Sequence, residues 1–190
     1  MKTMTHIERS PIGKPLALAL AMVVVCLFGP GAVLAHDADL EQRAAAALEA
    51  FQKTDSTLSA KLSKAAGYAV FPNVGKGGFV IGGAHGRGVA YEGGRLIGTA
   101  KITQVTVGAQ IGGKSFRELI LFETAEALAR FKASKYEMNA QASAVAAADG
   151  ASKDARYREG VLVFTQAIRG LMAEASVGGQ RFVFEPASAR

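Results

Sequence analysis

The sequence has few residues of the kinds that form cross-links and reactive sites. Its 190 residues include one cysteine, Cys26, three histidines and no tryptophan. One cysteine cannot form an intramolecular disulfide, and so few histidines leave no conventional histidine triad or zinc cluster. We therefore predict a domain stabilised by its core, with no cofactor, no metal and no catalytic residues.

The first 35 residues have the features of an export signal. Three basic residues precede an apolar stretch over residues 16–28, and small or modest side chains end the segment at Ala35. This order predicts a signal peptide over residues 1–35, cleaved after Ala35, and hence a periplasmic protein. An uncleaved membrane anchor is the alternative, and the Gly29-Pro30-Gly31 sequence after the stretch disfavours it.

Cys26 leaves a further alternative for localisation, because a lipoprotein signal attaches lipid to a cysteine. The residues before it are Val23, Val24 and Val25, whereas a lipoprotein signal places a small residue directly before the cysteine. If cleavage follows Ala35, no cysteine remains, and thiolate chemistry is excluded from the mature chain.

Acidic residues are scarce in one long segment of the chain. Residues 57–117 contain eight basic residues and a single acidic one, Glu92. Such a local excess predicts an anionic partner, and export makes nucleic acid an unsuitable one. We expect lipid headgroups at a membrane surface, from an anionic phospholipid or another acidic envelope lipid, with an acidic polymer as the alternative. The candidate lipid-binding residues are Lys61, Lys64, Lys76, Arg87, Arg95, Lys101, Lys114 and Arg117.

Residues 36–57 are predicted to form an N-terminal amphipathic helix before the main domain at residues 58–190. Apolar side chains, including Leu40, Leu48 and Phe51, recur at three- and four-residue spacing. This face has two possible uses. It can pack on a sheet, or it can provide an auxiliary membrane contact beside the basic residues.

From residue 68 to residue 111 the glycine-rich and β-branched composition predicts sheet, and Thr124 is predicted to cap a later helix. Gly93-Gly94 and Gly178-Gly179 are typical of tight turns. Ile102 has the opposite parity to the alternating apolar residues from Val105 to Ile111, which suggests a bulge near residues 103–104. The fold class expected is α+β, a single domain with an antiparallel glycine-rich sheet or barrel-like sheet and flanking helices.

Two features imitate enzyme sites. Residues 108–115 fit the letters of a phosphate-binding P-loop, but strand rather than helix is predicted to follow them. A hydrolase is the remaining enzyme alternative, and it would depend on Glu92 or His85. Neither residue has an obvious catalytic partner, so we expect a protein that is not an enzyme.

Five short blocks, in order, resemble the SYLF domain family, which is also described as lipid- and actin-binding. The resemblance covers about residues 58–185, and the blocks are residues 65–72, 75–83, 108–113, 170–171 and 176–179. It implies a compact antiparallel sheet or barrel with helices, and binding of acidic lipids.

Phosphoinositides are the ligands in eukaryotic members of that family, whereas a bacterial exported member would meet phosphatidylglycerol, cardiolipin or acidic lipopolysaccharide groups. Actin binding belongs to some fungal members, and no eukaryotic actin partner is expected here. Residues 95–100 replace a tryptophan-containing stretch of many eukaryotic members. The expected function is therefore exported, periplasmic binding of anionic phospholipid surfaces. The alternative is a cell-envelope scaffold that binds a protein or peptidoglycan.

Overall fold

The computed structural model describes residues 30–134, 137–138, 144–146 and 150–187. Most of the predicted signal peptide, including Cys26, lies outside these residues. The chain divides into two units, Met1–His36 and Asp37–Arg190. The sheet and the hydrophobic core belong to the second unit.

Four helices and five strands are described. The helices are α1 (Pro30–Thr54), α2 (Leu58–Leu62), α3 (Ala125–Lys132) and α4 (Ala151–Asp154). The strands are β1 (Gly67–Glu92), β2 (Arg95–Phe122), β3 (Glu137–Met138), β4 (Ala144–Ala146) and β5 (Val161–Pro186). The predicted α+β class is confirmed.

All five strands form one open sheet rather than a closed barrel. The hydrogen-bonded order is β1-β2-β5-β3, with antiparallel neighbours, and β4 pairs parallel with β5. Gly93 and Gly94 turn β1 into β2 with positive φ angles of 56° and 77°, as expected of a tight hairpin. Gly178 and Gly179 lie within β5, opposite Thr106 and Val105, so the turn predicted there is wrong.

The three long strands curl so that the two ends of the sheet face each other. Phe71 lies opposite Glu118 in the ladder, and Phe182 lies opposite Ile102, sixteen positions away along β2. A flat strand would separate these rows by about 50 Å. The rings of Phe71 and Phe182 are nevertheless 5.8 Å apart between centroids. An inner core that includes α3 fills the space enclosed by the curl.

A second core lies where the N-terminal helices cover the other face of the sheet. Leu40 and Phe51 of α1 are buried there against Val70 and Leu121, and Leu48 packs against the same cluster. The strands in this region are apolar on both faces because a core lies on each side of the sheet. Leu40, Leu48 and Phe51, which were the candidate auxiliary membrane contact, therefore pack against the sheet.

The change of parity along β2 is not caused by the bulge that was expected near residues 103–104. Residues 102–107 pair with β1 without a shift between Thr103 and Gln104. Ile102 is buried on the inner face, whereas Val105 and Val107 are exposed. Ile102 therefore differs in parity because β2 has apolar residues on both faces, and the bulge predicted near residues 103–104 is wrong.

Candidate lipid-binding surface

Two of the predicted basic residues meet in one cleft at the bend of the sheet. Lys76 of β1 lies directly opposite Lys114 of β2, and the neighbouring residue Ser115 lies opposite Arg169 of β5. With His85 and four surrounding glycines, these residues line an open cleft of about 530 Å³. We call it the basic cleft. Within the part of the chain that the structure describes, no acidic side chain lines it.

The chemistry of the basic cleft suits an anion. Lys76 is only 7% exposed, and both lysines also interact with other parts of the protein. Lys76 and Lys114 lie directly opposite each other in the ladder, which places two positive charges in one row of the sheet. Ser115 adds a hydroxyl whose oxygen is buried and has no hydrogen-bond partner within the described residues. Arg169 lies outside the 57–117 segment, and its role was missed because only the β2–β5 register brings it here.

Lys61 and Lys64 lie in a different place, on and just after α2. They line a second cleft of about 460 Å³ with Lys153 and Tyr157. The Lys61 ammonium donates a hydrogen bond to the Ala155 carbonyl at 3.1 Å and lies 5.7 Å from the Tyr157 ring centroid. Lys61 therefore links α2 to the segment after α4, while Lys64 and Lys153 are exposed.

The other four predicted residues are dispersed. Arg87 lies opposite Lys101, which forms an ion pair with Glu185. Arg95 is exposed at the start of β2. Arg117 donates a hydrogen bond of 3.0 Å to the Gln166 side chain. The eight residues therefore do not share one face.

An exposed apolar surface, which sequence reasoning missed, lies next to the basic cleft. Phe79, Ile81 and Ile111 are 72%, 66% and 60% exposed. Phe79 lies opposite Ile111 in the ladder, and Ile81 lies opposite Val107. We call this surface the apolar tip; it consists of Phe79, Val80, Ile81, Val105, Val107 and Ile111. The parity change after Ile102 was the signal in the sequence that could have found it.

The backbone holds the first three residues of the apolar tip outward. A Cβ on Gly78 would lie 2.4 Å from the Gly82 Cα, so the chain closes tightly around residues 79–81. The β1–β2 register shifts between Phe79 and Ile81, and Val80 has a φ of 64°. Positive φ is rare and costly for a β-branched residue, and such strain clusters at functional sites.

Beneath the bend, the enclosed face of the sheet carries a buried polar pair. The Gln180 amide nitrogen donates a 3.1 Å hydrogen bond to one carboxyl oxygen of Glu118. The other carboxyl oxygen and the Gln180 amide oxygen have no hydrogen-bond partner in the described part of the chain. Burial raises the pKa of Glu118 to about 7, although the Gln180 hydrogen bond opposes the rise.

The residues considered for a hydrolase are not assembled into a site. His85 lines the basic cleft, whereas Glu92 lies at the end of β1 and pairs with Lys132 at 3.0 Å. The P-loop look-alike at residues 108–115 lies within β2, with strand on both sides. Within the described ranges, no group of three or more His, Cys, Asp or Glu side chains could hold a metal ion. None of the described helices is long and apolar enough to cross a membrane.

A basic cleft beside an exposed apolar surface defines a binding domain, and comparison with known proteins agrees. Residues 103–188 match the family model described as Ysc84, Las17-binding protein actin regulator, which is the SYLF domain. The resemblance seen in the sequence is confirmed over residues 103–188, and the family that these residues match binds lipids and actin-related partners in general.

A curated relative has a broader match to the chain. The protein described as beta cell expansion factor A from Aeromonas veronii is 31% identical over 129 residues. The match covers 65% of this chain and 48% of the relative, so the chain spans about half the length of that protein.

Proposed function

We propose that this protein is exported to the periplasm and binds the anionic surface of a phospholipid membrane, with lipid headgroups in the basic cleft. The observation that carries the proposal is that Lys76, Lys114 and Arg169 line one cleft, whose described lining residues include no acidic one. The family's general binding of lipids supports it. Phosphate oxygens of a headgroup accept hydrogen bonds from ammonium, guanidinium and hydroxyl groups alike.

Charge in the basic cleft supplies a binding energy of useful size. Each basic residue near an anionic surface contributes about 1 kcal/mol before screening by salt. The three cationic residues that meet here therefore suit reversible association. The second cleft, with Lys64 and Lys153, offers a comparable number of charges at a different place on the surface.

The two clefts provide a matched test. The double variant Lys114→Gln with Arg169→Gln removes two charges from the basic cleft, and Lys64→Gln with Lys153→Gln removes two from the second cleft. Protein expressed from the full sequence would be sedimented with vesicles of increasing phosphatidylglycerol content at low and high salt. We expect the first variant to bind roughly tenfold to thirtyfold more weakly, and the second to bind nearly as the parent does.

Equal losses in both variants would show that net charge, rather than the basic cleft, governs binding. Binding that is indifferent to anionic content and salt would overturn the proposal and favour a protein or peptidoglycan partner in the cell envelope. The mass of the same protein tests export, because removal of residues 1–35 leaves His36 as the first residue.

A further inference from the structure

The apolar tip is a surface that headgroup binding alone does not explain. Six large apolar side chains, more than half exposed, lie together on the two strands that carry Lys76 and Lys114. A single exposed valine or isoleucine is ordinary on a protein surface, but a contiguous group marks a binding surface.

We propose that the apolar tip inserts into the hydrocarbon layer of an anionic bilayer while the basic cleft holds the headgroups. This inference rests on the proposed function, because the charge of the cleft brings the tip to the membrane and orients it. Binding would then have two components, an electrostatic one that salt screens and an apolar one that salt does not remove.

Position along the strands supports this arrangement. The row of Lys76 and Lys114 is three residues from the row of Phe79 and Ile111. This odd offset places the side chains of the two rows on opposite faces of the strands, but Ser115 lies four residues from Ile111 and His85 lies four residues from Ile81, so these two cleft residues share the face of the tip. His85 flanks the tip on its other side, as a lining residue of the basic cleft.

Charge supports a bilayer rather than an acidic or neutral protein surface as the occupant. Between residues 67 and 117, β1 and β2 carry one acidic residue, Glu92, and it lies at the far hairpin in an ion pair with Lys132. Glu118 of β2, four residues beyond Lys114, is buried, so these two strands place no acidic side chain at the surface beside the tip. Anionic headgroups above hydrocarbon are complementary to that pattern.

The backbone around the tip is also suited to insertion. Gly78 and Gly82 approach so closely that residues 79–81 are held outward as a unit, with Val80 in a left-handed conformation. Three consecutive apolar side chains can therefore enter an apolar phase without first reordering the chain, which lowers the entropic cost of binding.

The absence of tryptophan makes a direct test possible. Phe79→Trp places the only indole at the tip, and Val183→Trp places it at an exposed β5 position outside the tip, as the matched control. Protein expressed from the full sequence would be mixed with phosphatidylglycerol vesicles whose acyl chains carry bromine, a quencher that acts at short range.

We expect the indole emission of the Phe79→Trp variant to shift to the blue and to be quenched by brominated chains, while the control emission stays unchanged. Sedimentation without quenching at position 79 would overturn insertion and leave headgroup binding intact. Absence of sedimentation would overturn the proposed function itself. A blue shift that grows with protein concentration without vesicles would instead identify a second copy of this chain as the occupant.

A second measurement does not depend on an introduced ring. Ile81→Thr with Val107→Thr keeps β-branched side chains on exposed strand positions, so the fold is preserved. Binding at high salt should weaken roughly tenfold, whereas Val183→Thr should leave it unchanged. Equal high-salt binding by the parent and the double variant would contradict insertion.

Discussion

Replacement of the buried carboxyl of Glu118 by an amide should stabilise the protein at neutral pH. Glu118 is 1% exposed, and its described hydrogen bond is the one that it accepts from Gln180. Burial raises its pKa to about 7 from the ordinary value of 4.5. Glu118→Gln keeps the size of the side chain and removes its ability to ionise.

The sign of the effect follows from proton binding. Between pH 4.5 and 7 the unfolded state loses the Glu118 proton while the folded state keeps it, so the free energy of unfolding falls as pH rises. Below pH 4.5 both states are protonated, and above pH 7 the full penalty is present. A pKa difference of about 2.5 corresponds to about 3 kcal/mol. The advantage of Glu118→Gln over the parent should therefore grow by about that amount between roughly pH 4 and pH 8.

Urea denaturation followed by circular dichroism at several pH values measures this difference. The matched control is Glu185→Gln, since Glu185 is exposed and the hydrogen bond from Lys101 lowers its pKa. That substitution removes a favourable partner and should not stabilise the protein at mildly alkaline pH. Parallel stability curves for the parent and Glu118→Gln across this pH range would refute the reasoning, because they would mean that Glu118 is solvated in the folded state.

Two further substitutions test other parts of the structure. Burial alone would raise the pKa of Asp55, but hydrogen bonds from Thr57 and Ser152 hold it at about 2, against an ordinary value of 3.8. The stability that these hydrogen bonds contribute is present above pH 3.8 and is lost as pH falls through 2. Asp55→Asn should therefore lower the free energy of unfolding by about 2 kcal/mol at neutral pH. In urea titrations this deficit should shrink as the pH is lowered, and a constant deficit would contradict the assignment. Gly78→Ala has no room for its Cβ, and it should reduce high-salt vesicle binding in sedimentation. Val183→Ala, at an exposed β5 position outside the tip and the basic cleft, should bind as the parent does, and equal binding by both variants would show that the tight closure around the tip is not required.

Local patterns predicted much of the fold because they act over a few residues. Thr124 was recognisable as a residue that starts a helix, and it accepts a 3.2 Å hydrogen bond from the Ala127 amide. Gly93-Gly94 identified the first hairpin correctly. The unbroken length of β1, β2 and β5 was not predictable. Two adjacent glycines often end a strand, but here such glycines have ladder partners on the neighbouring strand.

The candidate site was likewise predictable only in part. A local count of charges identified Lys76 and Lys114 among eight candidates, but it could not distinguish them from Arg95 or Arg117, which lie elsewhere. Arg169 is distant from Lys114 in the sequence, and the β2–β5 register brings it to the same cleft. The apolar tip was predicted as sheet, and the parity change after Ile102 indicates two apolar faces without indicating which face is covered.

By itself, the sequence determined the α+β class, the family resemblance, the basic excess of residues 57–117 and, with one cysteine, the absence of an intramolecular disulfide. Each of these depends on composition or short-range spacing. Only the tertiary structure decided which charges meet, that α1 packs on the sheet, and that the tip is exposed. Those outcomes depend on the curl of the long strands, which brings distant residues together.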